Sequence, residues 1–203
     1  MQSYFCIMQE EFTRAPALGT AALRALAHPL RVRILDELSM YGPLTASGLG
    51  ERLGESSGAT SYHLRQLEKH GLVAEDVGRG TARERWWKRP PGSITLPDAH
   101  RQAEGSAERL ATELIDQEWM SRRDDSVREF RSRGEEVFGP EWLDVASFDT
   151  VNLRLTADEL RELVAEIDGV IARRLQAQSS ANARPVQLQL NAFPLVRGQG
   201  VTP

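Results

Sequence analysis

Between residues 20 and 72 the chain is cut into short helical lengths by residues that cannot continue a helix: Pro29, Gly42-Pro43, Gly54 and Gly71. Leu23, Leu26, Leu30, Ile34, Leu35 and Leu38 recur at helical spacing through the first of these breaks. Proline lacks an N–H and fits only a first turn, so the pattern predicts two helices parting near 27–28. Gly42-Pro43 closes the second of them. A short helix is expected over 45–53, capped by Thr45 or Ser47 and stopped by Gly54, then a longer one over 57–70. After Gly71, "LVAEDVGRGTARERWWKR" reads as two strands around a turn at 78–80. The order is helix, helix, short helix, longer helix, hairpin.

The longer helix begins "SSGATSYHLRQLEKHGLV" (56–73), with small and hydroxylated residues crowded at its front. An α-helix fits the major groove of B-DNA, and its first turns come closest to the base edges. Ser57, Gly58, Ala59, Thr60 and Ser61 permit that approach and offer hydroxyls and amides to bases and phosphates. Tyr62, His63 and Arg65 extend the candidate surface, while Leu64, Leu67 and Ala59 are expected to face inward. Taken alone, Ser-Ser-Gly is also an ordinary helix cap. The short helix before it, the Gly54 turn and the basic hairpin after it give the nucleic-acid reading its weight.

Net charge is −4, but unevenly placed. Residues 1–92 carry 12 Lys/Arg against 10 Asp/Glu, and residues 93–203 carry 13 against 19. Five basic residues and one acid fall in "RGTARERWWKR" (79–89), and a polyanion responds to such a local patch rather than to the total.

The segments "LRALAHPLRVRILDEL", "TASGLGERL", "SGATSYHLRQLEKHGLV" and "RERWW", in that order, resemble the winged helix-turn-helix of ArsR-type transcriptional regulators. The resemblance covers about 18–89. It implies a dimeric, repressor-like protein whose 57–70 helix enters the major groove of double-stranded DNA. The hairpin 72–87 would be the wing, bringing Arg79, Arg83 and Arg85 to phosphates or the minor groove. Arg31 matches a position the family uses for backbone contact. Many members sense metals, but this chain departs from their sites. The short helix has no cysteine, and the pair Asp98 and His100 meets Ala111 and Leu114 where the family's second half would lie, neither of which can ligate zinc. His63 and His70 stand about 10 Å apart along a helix, too far for one ion. No metal and no cofactor are expected.

"RPPGSITLP" reads as a linker. Beyond it, a helix is expected over 98–122, bent or interrupted at "SRRDDS" and continued by Val127 and Phe130. Leu110, Leu114, Trp119 and Phe130 are the candidate dimer surface of this long helix. "ASFDTVNLRLT" alternates Val151, Leu153 and Leu155 with polar residues, as a half-buried strand does. Thr156 and Glu159 form a capping box for a further helix. "PVQLQLNAF" then alternates through Val186, Leu188 and Leu190, and Asn152, Arg154, Gln187, Gln189 and Asn191 would share a polar sheet face. Trp86, Trp87 and Trp142 are candidates for a pocket or for core.

The expected organisation is a tail (1–16), a winged helix-turn-helix (17–89), a linker (90–97) and an α+β region with a long dimerisation helix (98–203). The fold class is thus mainly α with a small β component. No run is long and apolar enough to cross a bilayer, and the amino end lacks the pattern of a secretory signal, so a cytoplasmic protein is expected. Cys6 is the single cysteine, and translation from Met8 would remove it. No phosphate loop or nucleophile elbow suggests an enzyme. The leading reading is a sequence-specific DNA-binding homodimer, open to a small-molecule or protein effector. The alternative is a winged helix used for protein contact alone.

Overall fold

A computed structural model describes residues 16–79, 84–90, 94–177 and 182–196. The first two helices are α1 (Thr20–Leu26) and α2 (Pro29–Tyr41), parted at Ala27–His28. Pro29 occupies the first turn of α2, and the His28 ring accepts from the Leu30 amide at 3.1 Å, so the cap is a histidine. Gly42, at φ 80°, ends α2 in a conformation that a side chain would oppose. A strand absent from the sequence reading follows, β1 (Leu44–Thr45). Thr45 then caps α3 (Ala46–Leu53), accepting from the Gly48 amide at 3.0 Å. Ser56, one residue before the expected start, caps α4 (Ser57–Glu68) through the Ala59 amide.

The chain returns as β2 (Ala74–Glu75) and β3 (Trp86–Lys88), which pair antiparallel. β1 joins the other edge of β3, giving the order β1-β3-β2. The small sheet therefore ties the segment between α2 and α3 to the hairpin. The six residues of that helical pattern are buried together with Val32, and Leu49, Leu53, Leu64, Leu67, Leu72, Val73 and Trp87 join them from the rest of the motif. Truncating any fully buried leucine here would cost about 2–5 kcal/mol.

Several expectations for the second half are corrected. Residues 94–97 are not a free spacer: Ile94 and Leu96 pack against the core, and Leu18 donates its amide to the Thr95 carbonyl at 2.9 Å. Residues 99–101 form only a 3-10 turn, capped by the Asp98 carboxylate. The long helix α5 (Ala107–Phe138) starts at the Ser106 cap and runs unbroken through "SRRDDS". That segment stays helical because its charges pair along the surface or with neighbours, as Arg128–Asp125 and Arg122–Asp36 do. A short helix α6 (Pro140–Val145) follows, then α7 (Ala157–Gln176), which carries the expected Thr156–Glu159 capping box. Neither 151–155 nor 186–190 is a strand, and their apolar residues are exposed. Alternation specifies one apolar face; a strand also requires a neighbour to accept its backbone hydrogen bonds.

The chain divides into two units. One spans Arg14–Leu143 and so carries α5 together with the helix-turn-helix; the described residues of the other run from Asp144 onward.

Candidate nucleic-acid interface

The α4 helix is fixed by one face and open on the other. Leu64 and Leu67 are fully buried, as expected. Thr60, read from the sequence as a DNA contact, is fully buried as well. Its hydroxyl donates to the Ala46 carbonyl at 2.7 Å, bridging α4 to the first residue of α3. A buried hydroxyl is held where it finds an acceptor, so Thr60 positions the helix and leaves the DNA-facing set. Ser57, Gly58, Tyr62 and Arg65 are exposed and Ser61 half-exposed, so these five lie along the outward side. A side chain added at Gly58 would meet only the Ser56 hydroxyl, 3.9 Å away, which leaves the helix front open to a close partner.

The junction of α3 and α4 rests on a glycine that the sequence reading passed over. A Cβ on Gly50 would stand 2.6 Å from the Glu55 carbonyl oxygen, and the Glu55 amide donates to the Gly50 carbonyl at 2.9 Å. Only a residue without a side chain lets the turn close this tightly. Its place four residues before the Gly54 stop is the one sequence signal for it.

His63 does not stand out toward the groove. It is half-buried, its ring centroid 4.5 Å from that of His28 and 5.1 Å from that of Tyr62. Burial, then the nearby His28 and Arg31, lower its pKa below the usual imidazole value. Arg31, on the first turn of α2, is half-buried too, and desolvation lowers its pKa. The His63 Nδ1 and the Arg31 Nε are buried polar atoms without a hydrogen-bond partner in the chain. The start of α2 thus lies against α4, and Arg31 and Tyr62 flank one edge of its outward face.

In the hairpin, Arg79 lies 5.0 Å over the Trp86 ring, which holds the guanidinium at the base of the turn. Arg85 is exposed, with Glu75 at 3.8 Å, so part of its charge is countered within the sheet. Arg83 lies outside the described residues. Trp87 belongs to the core, Trp86 is half-buried beside Arg79, and Trp142 sits 6.1 Å from Phe138.

Of the residues expected to join two chains, Leu114 and Trp119 pack against the core of their own chain. Trp119 also donates its indole N–H to Asp36 at 3.1 Å. Phe130 stacks on Phe138 at 6.3 Å and lies against Gly134, while Leu110 is exposed. The reason is visible in α5 itself: Ala111 and Ile115 are buried against the α1–α4 core, so the same stripe continues through Leu114 and Trp119.

Beyond that stripe a charged cluster, unforeseen in the sequence, ties α5 to α2 and α3. Arg122 meets Asp36 at 3.0 Å and Glu37 at 2.9 Å, and Arg52 of α3 reaches Glu37 at 2.6 Å. Burial pushes the Asp36 pKa up to about 6, against the pull of Arg122 and the Trp119 hydrogen bond. The pKa is raised in the folded state, so this contribution to stability is full below pH ~4 and is lost as pH rises through ~6, up to about 3 kcal/mol for this group. Asp36→Asn should therefore gain on the parent chain between pH 4 and 7. Thermal melts of both proteins across that range check it; parallel curves would refute it.

Residues 26–76 match the family model of a helix-turn-helix domain. The matched span holds α2, α3 and α4, and a helix-turn-helix domain suggests a DNA-binding regulator. No curated protein matches the chain. Among the described residues no helix is long and apolar enough to cross a membrane.

Proposed function

We propose that this chain is a sequence-specific transcriptional regulator of the ArsR type, repressor-like, acting as a homodimer on double-stranded DNA. The observation that supports this most is the outward row Ser57, Gly58, Ser61, Tyr62 and Arg65, on a helix whose opposite side is locked into the core. Small residues lead that row and a guanidinium ends it, the order needed for close entry into a groove followed by contact with bases or phosphates. Arg31 and Arg79 add backbone contacts on either side. Two copies would place their α4 helices about 34 Å apart, one turn of the duplex, and read two half-sites on one face. An effector, small molecule or protein, would act by changing that spacing. The chain is proposed to be no enzyme.

The test is binding of the purified protein to the DNA upstream of its own gene and to genome-wide selected fragments, against an unrelated duplex, over a series of salt concentrations. Tight binding that survives the competitor, with a steep salt slope, is the expected result. Failure to prefer any selected fragment would leave the winged helix as a protein-contact module. In the same assay, Arg79→Ala should weaken binding to all sequences alike and lower the salt slope by about 0.9, the share of one phosphate contact. An unchanged slope would remove the hairpin from the interface.

A further inference from the structure

From Asp144 onward the elements are amphipathic, and none of the described residues there is buried. None of the 20 residues of α7 is buried. Its apolar side, Leu160, Leu163, Val164, Ile167, Val170 and Ile171, is half-buried apart from the exposed Val170 and repeats at the three-four spacing of a helix that packs lengthwise on another. Before it, Val151, Leu153 and Leu155 are exposed; after it, so are Val186, Leu188, Leu190, Phe193, Leu195 and Val196. The second segment has the side-chain order of a strand. Gln189 donates to Gln187 at 2.8 Å, so these two glutamines meet on one side, and the intervening Leu188 is 69% exposed. The one sheet among the described residues contains neither segment.

Exposed apolar side chains, three in 151–155, six in 186–196 and Val170 on α7, fall together in this unit, a concentration that marks an interaction surface rather than the scattered single residues of an ordinary exterior. The charges of α7 indicate what covers it. Asp158, Glu159, Glu162, Glu166 and Asp168 fill its first two-thirds, while Arg173 and Arg174 close it. On a helical wheel Glu159, Glu166 and Arg173 flank one edge of the apolar side, and Arg161 and Asp168 the other. Such a helix is complementary to itself in the antiparallel sense. Laid against a second α7, its acidic beginning meets the basic end of the other, as an isologous interface requires. A parallel pair would set acid against acid.

We propose that two copies of this chain associate through this unit, with the apolar sides of their α7 helices antiparallel and the segments 151–155 and 186–196 of each supplying the rest of the shared surface. This deepens the DNA-binding reading by naming that reading's partner surface, and it rests on the C-terminal residues alone.

The experiment is sedimentation equilibrium of the full chain at 1–50 µM (roughly the range in which standard-size interfaces associate). The parent should be a dimer. Leu153→Asp with Leu188→Asp should sediment as a monomer with unchanged helical circular dichroism, since both side chains are exposed within one chain. Leu110→Asp on α5 should leave the dimer intact. Arg173→Glu should raise the dissociation constant about tenfold, and Glu159→Arg combined with Arg173→Glu should restore it, which a different partner or a parallel pairing would not do. A monomeric parent, a dimer that survives the double aspartate substitution, or a charge reversal without rescue would each overturn the proposal. The DNA reading fails separately, by a dimer that selects no DNA sequence.

Discussion

Gly50→Ala is expected to be the most damaging single-methyl substitution in the helix-turn-helix. The added carbon would lie 2.6 Å from the Glu55 carbonyl oxygen, and the obstacle is backbone that cannot swing aside as a long side chain would. Overpacking against a rigid neighbour costs about 1–3 kcal/mol, and here the upper end applies because the α3–α4 turn must open. For a chain of this size that corresponds to a fall in Tm of roughly 5–10 °C. Two neighbouring glycines serve as references. Gly48→Ala places its Cβ 3.4 Å from the Thr45 hydroxyl, an ordinary contact, and should be nearly neutral or slightly stabilising. Gly54→Ala has open space around it but a φ of +69°, and should lose only about 1 kcal/mol to backbone strain. Thermal melts of the three variants test the order; a Gly50→Ala protein as stable as Gly48→Ala would show that the turn yields freely. The DNA reading adds that Gly50→Ala should also weaken binding after folding, because the opened turn changes the angle at which α4 leaves α3.

The second large effect is expected with no loss of stability. Gly58 and Arg65 are both exposed on the outward side of α4, and neither touches the core. Gly58→Trp should fold as the parent does, yet hold the helix away from the groove. Arg65→Ala removes the guanidinium best placed for base or phosphate contact. A specific base contact is worth about 1–3 kcal/mol, so Arg65→Ala should weaken operator binding roughly 5- to 100-fold. Gly58→Trp should do at least as much, since it displaces several contacts together. Fluorescence anisotropy with operator and unrelated duplexes, beside a melting curve for each variant, gives both quantities. Full operator affinity in Gly58→Trp would mean that the α4 front is not the reading surface, however well the domain is folded.

Thr60 and His63 show why composition alone misassigns a reading face. Both lie among the polar residues at the head of α4, and on paper they are as available as Ser61. Thr60 instead spends its hydroxyl on the Ala46 carbonyl and His63 is shielded by His28, because α3 and the start of α2 cover that side. Only the packing partner tells one hydroxyl from another.

The helix-turn-helix was legible because its signals are local. Pro29, Gly42, Thr45, Gly54 and Gly71 each act within a few residues of their own position, through a fixed φ, a missing N–H or a cap, and every helix of the motif begins or ends beside one of them. The burial of Leu23, Leu26, Leu30, Ile34, Leu35 and Leu38 followed from periodicity, which needs no knowledge of the partner. What lay beyond the sequence was decided between distant elements. Gly50 matters only through the carbonyl of Glu55, and burial raises the Asp36 pKa to about 6 against the opposing pull of Trp119 and Arg122, which α5 brings onto it from more than eighty residues away. Likewise the alternation at 151–155 and 186–190 fixed which side chains share a side, but a strand forms where another backbone stands ready to pair, and the sheet among the described residues takes in neither segment. Local conformational limits are properties of the residues themselves; contacts, burial and titration belong to whichever segments the tertiary structure places side by side.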